Sequence, residues 1–197
     1  MKKLLNKEFW SEQYQADNTN WNAGAITTPL KEYFDGIADK QTKILIPGVG
    51  HGHELLYLYR SGFTDVTAID IAEEALQKIA AAEPLFPKER LIQADFFQHS
   101  DTYDLIVEQT FFCALEPDLR LNYVRKMDEL LRKNGKLVGL LFDFCFPSEG
   151  PPFGGSLETY QELFSSVLKI SKMERAYNSI KPRAGRELFI VIEKKDD

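Results

Sequence analysis

The chain has 197 residues, 44% hydrophobic and 27% charged, with a formal net charge of −6. A chain of this size buries a full core without covalent staples, so Cys113 and Cys145 need no disulfide. Its Lys and Arg residues are scattered among acids and no apolar run reaches membrane-spanning length, so a small molecule is expected as partner, with no nucleic acid and no membrane.

The opening stretch, MKKLLNKEFW, is too short and too interrupted for a signal peptide, so cytoplasmic residence and reduced thiols are expected. Residues 1–41 stand outside the pattern that follows, as an extension carrying Trp10, Tyr14 and Trp21 and then a helix starting at Thr28-Pro29. From there strand and helix signals alternate. Residues 43–47 (KILIP) read as a buried strand running into glycines. A helix follows over 53–60, then a strand over 65–69, and a helix over 72–82 that Pro84 stops. Strands are expected at 90–93 and 103–107. Pro117 opens a helix to about Arg132, and Asn134-Gly135 is expected to close it. A strand over 136–142, a helix over 156–167 and strands near 168–174 and 187–192 complete the series. Strands separated by helices imply βαβ units and a mainly parallel sheet covered on both faces. The two late strands after one helix place an antiparallel strand in it. The fold expected is thus α/β, a Rossmann-like seven-stranded sheet over 42–197 with an N-terminal helical lid over 1–41, in a single domain. The Pro/Gly-rich residues 144–155 read as a loop and a candidate substrate wall.

Chemistry concentrates after the first strand. Pro47-Gly48-Val49-Gly50-His51-Gly52 ends a strand and opens a helix, where bare backbone and free N–H groups can receive a ligand. A plain tight turn would also use these glycines. Asp70 ends the second strand, 22 residues after Gly48. In a Rossmann-like sheet those strands are neighbours, and a carboxylate there suits ribose hydroxyls. As a helix cap it would serve the next helix instead. The dinucleotide fingerprint needs glycine at 53, and His53 stands there, so a pyrophosphate fits less well than S-adenosylmethionine, which has none. Asp95 follows the third strand beside Phe96; by itself it reads as a solvated loop acid.

Taken in order, Trp10…Tyr14…Trp21-Asn22-Ala23-Gly24, Leu45-Ile46-Pro47-Gly48-Val49-Gly50-His51-Gly52-His53-Glu54, Asp70-Ile71, Gln93-Ala94-Asp95-Phe96-Phe97, Phe111-Phe112-Cys113-Ala114-Leu115-Glu116-Pro117 and Gly150-Pro151-Pro152-Phe153 resemble the thiopurine S-methyltransferase family. Within it, the chain looks most like the plant thiol/halide methyltransferases. The resemblance implies S-adenosylmethionine as cofactor. It implies cofactor contacts from Trp10, Tyr14 and Trp21 in the extension, from Gly48 and Gly50 in the loop, and from Asp70-Ile71 at the ribose. Asp95-Phe96 would serve the adenine, and Gln109 would add a further contact. Tyr14 and Gln109 replace the Trp and the aromatic residue of the plant pattern, and Val49 a commoner small or Cys residue, so the plant substrate does not simply carry over.

Without the resemblance, Trp10 and Tyr14 read as packing, while Trp21, on a loop, reads as a ligand cover. Cys113 reads as a buried apolar thiol. His51, His53 and His99 do not form a metal set, and no Ser-His-Asp pattern is placed. Arg183 reads as a solvated surface residue, with reach to an anionic acceptor as the alternative. The expected activity is methyl transfer to a small nucleophile, a thiol, sulfide or halide, in a pocket built from Phe111, Phe112, Phe146 and Phe153. No catalytic residue is assigned. A nicotinamide-dependent oxidoreductase and a non-catalytic nucleotide-binding protein are the competing readings. A monomer or weak homodimer is expected.

Overall fold

Strand β1 (Ile44–Pro47) is buried at every position in the computed structural model, which describes residues 4–147 and 150–195. So is β2 (Val66–Asp70), its parallel neighbour, as a strand covered on both faces must be. β3 (Leu91–Gln93) extends this side of the sheet. On the other side, β4 (Tyr103–Gln109) pairs in parallel with β1 and with β5 (Leu131–Phe142). β7 (Glu187–Glu193) runs antiparallel between β5 and β6 (Lys169–Arg175), giving the seven-stranded order β3-β2-β1-β4-β5-β7-β6. This is the Rossmann-like sheet expected from the sequence, with its antiparallel strand.

Alternation along the strands feeds two cores. Ile44, Ile46, Leu105 and Val107 pack with Leu30 and Phe34 of α2 (Thr28–Asp35), Leu55 and Leu58 of α3 (His53–Arg60), and Leu76 and Ile79 of α4 (Glu73–Ala82). The intervening Leu45 and Ile106, with Leu137, pack against Tyr123, Val124 and Met127 of α5 (Arg120–Leu130) and Tyr160 and Phe164 of α6 (Leu157–Ser165). Ser156 caps α6 through a reciprocal bond with Thr159.

Asn134-Gly135 does not close a helix. A 3₁₀ turn over Pro117–Leu119 leads into α5, which stops at Leu130. Leu131 is already extended and pairs with Tyr103. The core needs both Leu130 and Leu131, so the chain leaves the helix early. Residues 132–135 form a bulge before Lys136 resumes the pairing opposite Leu105.

The extension forms α1 (Lys7–Gln15), capped by the Asn6 side chain, which accepts from the Phe9 N–H at 3.1 Å. α1 lies on α4, where both oxygens of Glu74 hold it. They accept from the Ser11 hydroxyl at 2.8 Å and the Gln15 amide at 2.7 Å. Tyr14 packs on Ala72 and Ala75 with Trp10 and Trp21 alongside, a small cluster separate from the two main cores. Among the described residues no helix is long and apolar enough to cross a membrane. Ser148 and Glu149, within the expected loop 144–155, lie outside the described residues.

Candidate active site

The carboxyl ends of β1, β2, β3, β4 and β5 and the underside of the extension enclose a cavity of about 740 Å³. Its floor lies where the strand order reverses between β1 and β4, the usual ligand crevice of such sheets.

The glycine loop leaves β1 with Gly48, Gly50 and Gly52 all at positive φ. Two of these positions bear directly on the cavity. A Cβ on Gly48 would stand 2.3 Å from the Phe111 ring. One on Gly50 would stand 3.6 Å from the Trp21 indole nitrogen and 3.7 Å from the Tyr14 hydroxyl. The loop is therefore bare backbone roofed by aromatics. Asp70, 8% exposed, fixes it. One carboxylate oxygen accepts from the Gly50 N–H at 3.1 Å and the other from the Ala72 N–H at 2.9 Å. Ala72, with no side-chain cap bond, is the N-cap of α4, so Asp70 is not that cap. Burial raises its carboxyl to about 6, against the lowering effect of those N–H groups. Each oxygen retains acceptor capacity for a ligand hydroxyl.

Trp10 and Tyr14, one turn apart on α1, meet Trp21 edge-on, each with ring centroids 5.5 Å from it. All three line the cavity, as do Gly48, Gly50, Asp70, Ile71, Asp95 and Phe96. The structure thus gathers nine of the ten expected cofactor residues around one space. The tenth, Gln109, faces a small adjoining cavity beside residues 48–54 and accepts from the Thr27 hydroxyl at 3.4 Å. Asp95 caps the following 3₁₀ turn by accepting from the Phe97 N–H at 2.9 Å.

Beyond Phe111 the cavity walls are Cys113, Leu115, Leu119, Phe142, Phe146, Pro151 and Pro152. Two of the expected phenylalanines are placed elsewhere. Phe112 is 1% exposed and packs in the core on Tyr123, Tyr160 and Phe164. Phe153 is outside the lining; its backbone N–H donates to the Cys113 carbonyl at 2.7 Å, which ties the proline loop to the turn after β4. Burial pushes the Cys113 thiol well up, as expected of a structural cysteine.

Arg183 is no solvated residue. Its side chain is 11% exposed and lines the cavity, where among the described residues no other Lys or Arg does. The guanidinium donates to the Trp21 carbonyl at 2.9 Å and pairs with buried Glu187 at 3.5 Å, over the Phe142 ring. The sequence also left three buried carboxyls unremarked, Glu54, Glu108 and Glu187. Glu54 and Glu108 are both pushed up to about 7 by burial. Glu108 had a legible signal, an acid inside the apolar run LIVEQ. His51 precedes α3, and its ring lies nearly parallel to that of His53 with centroids 6.0 Å apart.

The model of the thiopurine S-methyltransferase family matches residues 5–195. Thiocyanate methyltransferase 1 of Brassica oleracea is 30% identical over 90% of this chain and 81% of its own length. Probable thiol methyltransferase 2 of Arabidopsis thaliana is 28% identical over 78% of this chain and 70% of its own. A Burkholderia thailandensis 1,6-didemethyltoxoflavin-N1-methyltransferase, solved with S-adenosylhomocysteine, superposes with a TM-score of 0.75 at 18% identity. That match spans 97% of this chain and 87% of the other, a likeness of fold. The chain belongs to the thiopurine S-methyltransferase family: it is an S-adenosylmethionine-dependent methyltransferase acting on a small-molecule acceptor. The nicotinamide reading is thereby set aside.

Proposed function

We propose, from that family membership, that this chain methylates a small, soft, anionic nucleophile, a thiolate, hydrosulfide, thiocyanate or halide. The observation that carries the reading is Arg183, a largely buried cation in the cavity lining over the Phe142 ring. The names of the plant relatives agree with it.

The residues suit the cofactor. Bare backbone at Gly48 and Gly50 leaves room for close approach. Asp70 has acceptor capacity for two ribose hydroxyls. Ile71 and Phe96 offer apolar faces to the adenine, and Asp95 an acceptor at its edge. Trp10, Tyr14 and Trp21 cover the loop and keep water out, while Gln109 supports it from the adjoining cavity. When bound, the sulfonium supplies an electrophilic methyl group on a good neutral leaving group.

The chain's own part is alignment and desolvation, which together are worth roughly 7–11 kcal/mol in well-oriented reactions. Arg183 draws an anion in, and Phe111, Phe142 and Phe146 strip its weak hydration. An anionic acceptor needs no base to take its proton. Arg183 is offset by Glu187, so the site holds an anion without a large excess of positive charge.

The test is turnover with S-adenosylmethionine over hydrosulfide, thiocyanate, iodide, an aromatic thiol, a catechol and an amine. Methylation of one or more sulfur or halide acceptors is expected. Turnover confined to the catechol or the amine overturns the acceptor class and leaves the cofactor standing.

A further inference from the structure

We propose that Glu108 is a positioning residue for methyl transfer: its carboxylate fastens the turn after β4 and so shapes the acceptor end of the cavity. This rests on the reading that the acceptor lies beside Phe111.

Glu108 is fully buried near the end of β4. Opposite it on β5 stands Gly139, where a Cβ would lie 2.4 Å from the Cβ of Glu108. All its hydrogen bonds are local or to one tyrosine. One oxygen accepts from the Phe111 and Phe112 N–H groups at 2.8 and 2.9 Å. The other accepts from the Tyr123 hydroxyl at 2.6 Å. Among the described residues no Lys, Arg or His pairs with it. The titratable side chains acting with it are Tyr123 from α5 and Cys113 from the turn, the latter itself within reach of Arg120 and Arg183. A buried carboxylate without a cation is a poor device for stability, since an apolar side chain of similar shape would avoid its desolvation.

What the carboxylate does is hold a backbone that would otherwise relax. Thr110, a β-branched residue, sits at φ 59°, a conformation such residues rarely adopt. The reversal there turns the next two N–H groups back onto Glu108. It sends Phe111 against Gly48 and Phe96 at the cavity wall, and Phe112 into the core. The Cys113 carbonyl is then placed to receive the Phe153 N–H, next to Pro151 and Pro152 in the cavity lining. One carboxylate therefore sets both Phe111 and the anchor of the proline loop.

Three variants test this: Glu108→Leu, Glu108→Gln, whose amide oxygen can still accept both N–H groups, and Tyr123→Phe. Three readouts apply to each: calorimetric affinity for S-adenosylhomocysteine, hydrogen exchange at the Phe111 and Phe112 amides, and the acceptor KM. Glu108→Leu is expected to speed that exchange and raise KM by about tenfold or more. Affinity for S-adenosylhomocysteine should fall by clearly less than the acceptor KM rises, because Phe111 also touches Gly48 and Phe96 on the cofactor side. Gln should recover most of the loss, and Tyr123→Phe should shift both readouts in the same direction by less. The proposal is overturned if folded Glu108→Leu keeps wild-type exchange and KM, or loses S-adenosylhomocysteine affinity as much as acceptor affinity. If Leu does not fold, wild-type exchange and KM in Tyr123→Phe overturn it. Should no sulfur or halide acceptor turn over, the acceptor reading fails by itself, and the exchange rates still decide the role of Glu108.

Discussion

Asp70→Asn separates the two things Asp70 does. The carboxyl is 8% exposed and raised to about 6 by burial. A raised carboxyl favours the protonated fold, so its stabilising contribution is lost as pH rises through about 6. By pH 8 its ionisation costs the unliganded protein about 3 kcal/mol. Asn removes that cost. Its amide, however, turns an N–H₂ toward the Gly50 or the Ala72 N–H, and one unmade buried bond costs about 1–3 kcal/mol. The two nearly cancel, so the melting temperature at pH 8 should change little. Affinity should not survive in the same way. A hydrogen bond to a charged group is worth about 1.5–3 kcal/mol, so losing one from a ribose hydroxyl raises Kd by at least about tenfold. Calorimetric titration with S-adenosylhomocysteine at pH 8, beside differential scanning calorimetry, reads both. The wild type should also bind about tenfold more weakly for each pH unit below about 6, and the variant should not. An unchanged Kd in a stable Asp70→Asn protein would mean that Asp70 only staples the glycine loop.

Gly48→Ala places a Cβ at φ 56° and 2.3 Å from the Phe111 ring, so a loss of about 1–3 kcal/mol in urea unfolding and weaker S-adenosylhomocysteine binding are expected. Glu74→Ala cuts both bonds that hold α1 on α4. Hydrogen exchange over residues 7–15 and cofactor dissociation should each quicken roughly two- to tenfold, with the melting temperature nearly kept. Equal exchange in variant and wild type would show that aromatic packing alone closes the extension. Arg183→Gln should raise the KM of an anionic acceptor by about tenfold or more and weaken S-adenosylhomocysteine binding by less, through the lost bond to the Trp21 carbonyl, checked by steady-state kinetics and calorimetry.

Much of the scaffold was legible because it is written in local periods. The KILIP run, the helix behind Gly52 and the Ala-rich α4 were placed within a residue or two, since strand and helix patterning needs no distant partner. The error at Asn134-Gly135 has a non-local cause. Leu131 leaves the helix to pair with Tyr103, a contact that turn chemistry does not encode. The phenylalanines show the same limit. Phe111 and Phe112 are neighbours, yet one lines the cavity and the other fills the core, because Glu108 and Thr110 reverse the chain between them and the strand.

The sequence by itself determined the order of strands and helices, the bare glycine loop and an acid at the end of the second strand. Each of these depends on residues close together in the chain and on a sheet whose connections have a preferred hand. Only the tertiary structure decided what closes over that loop and what faces the acceptor. Arg183 reads as a surface cation until the β6–β7 connection folds over Phe142 and delivers its guanidinium to the Trp21 carbonyl, 162 residues away along the chain. Side-chain burial is set by whatever the rest of the molecule brings against it, and no local pattern carries that information.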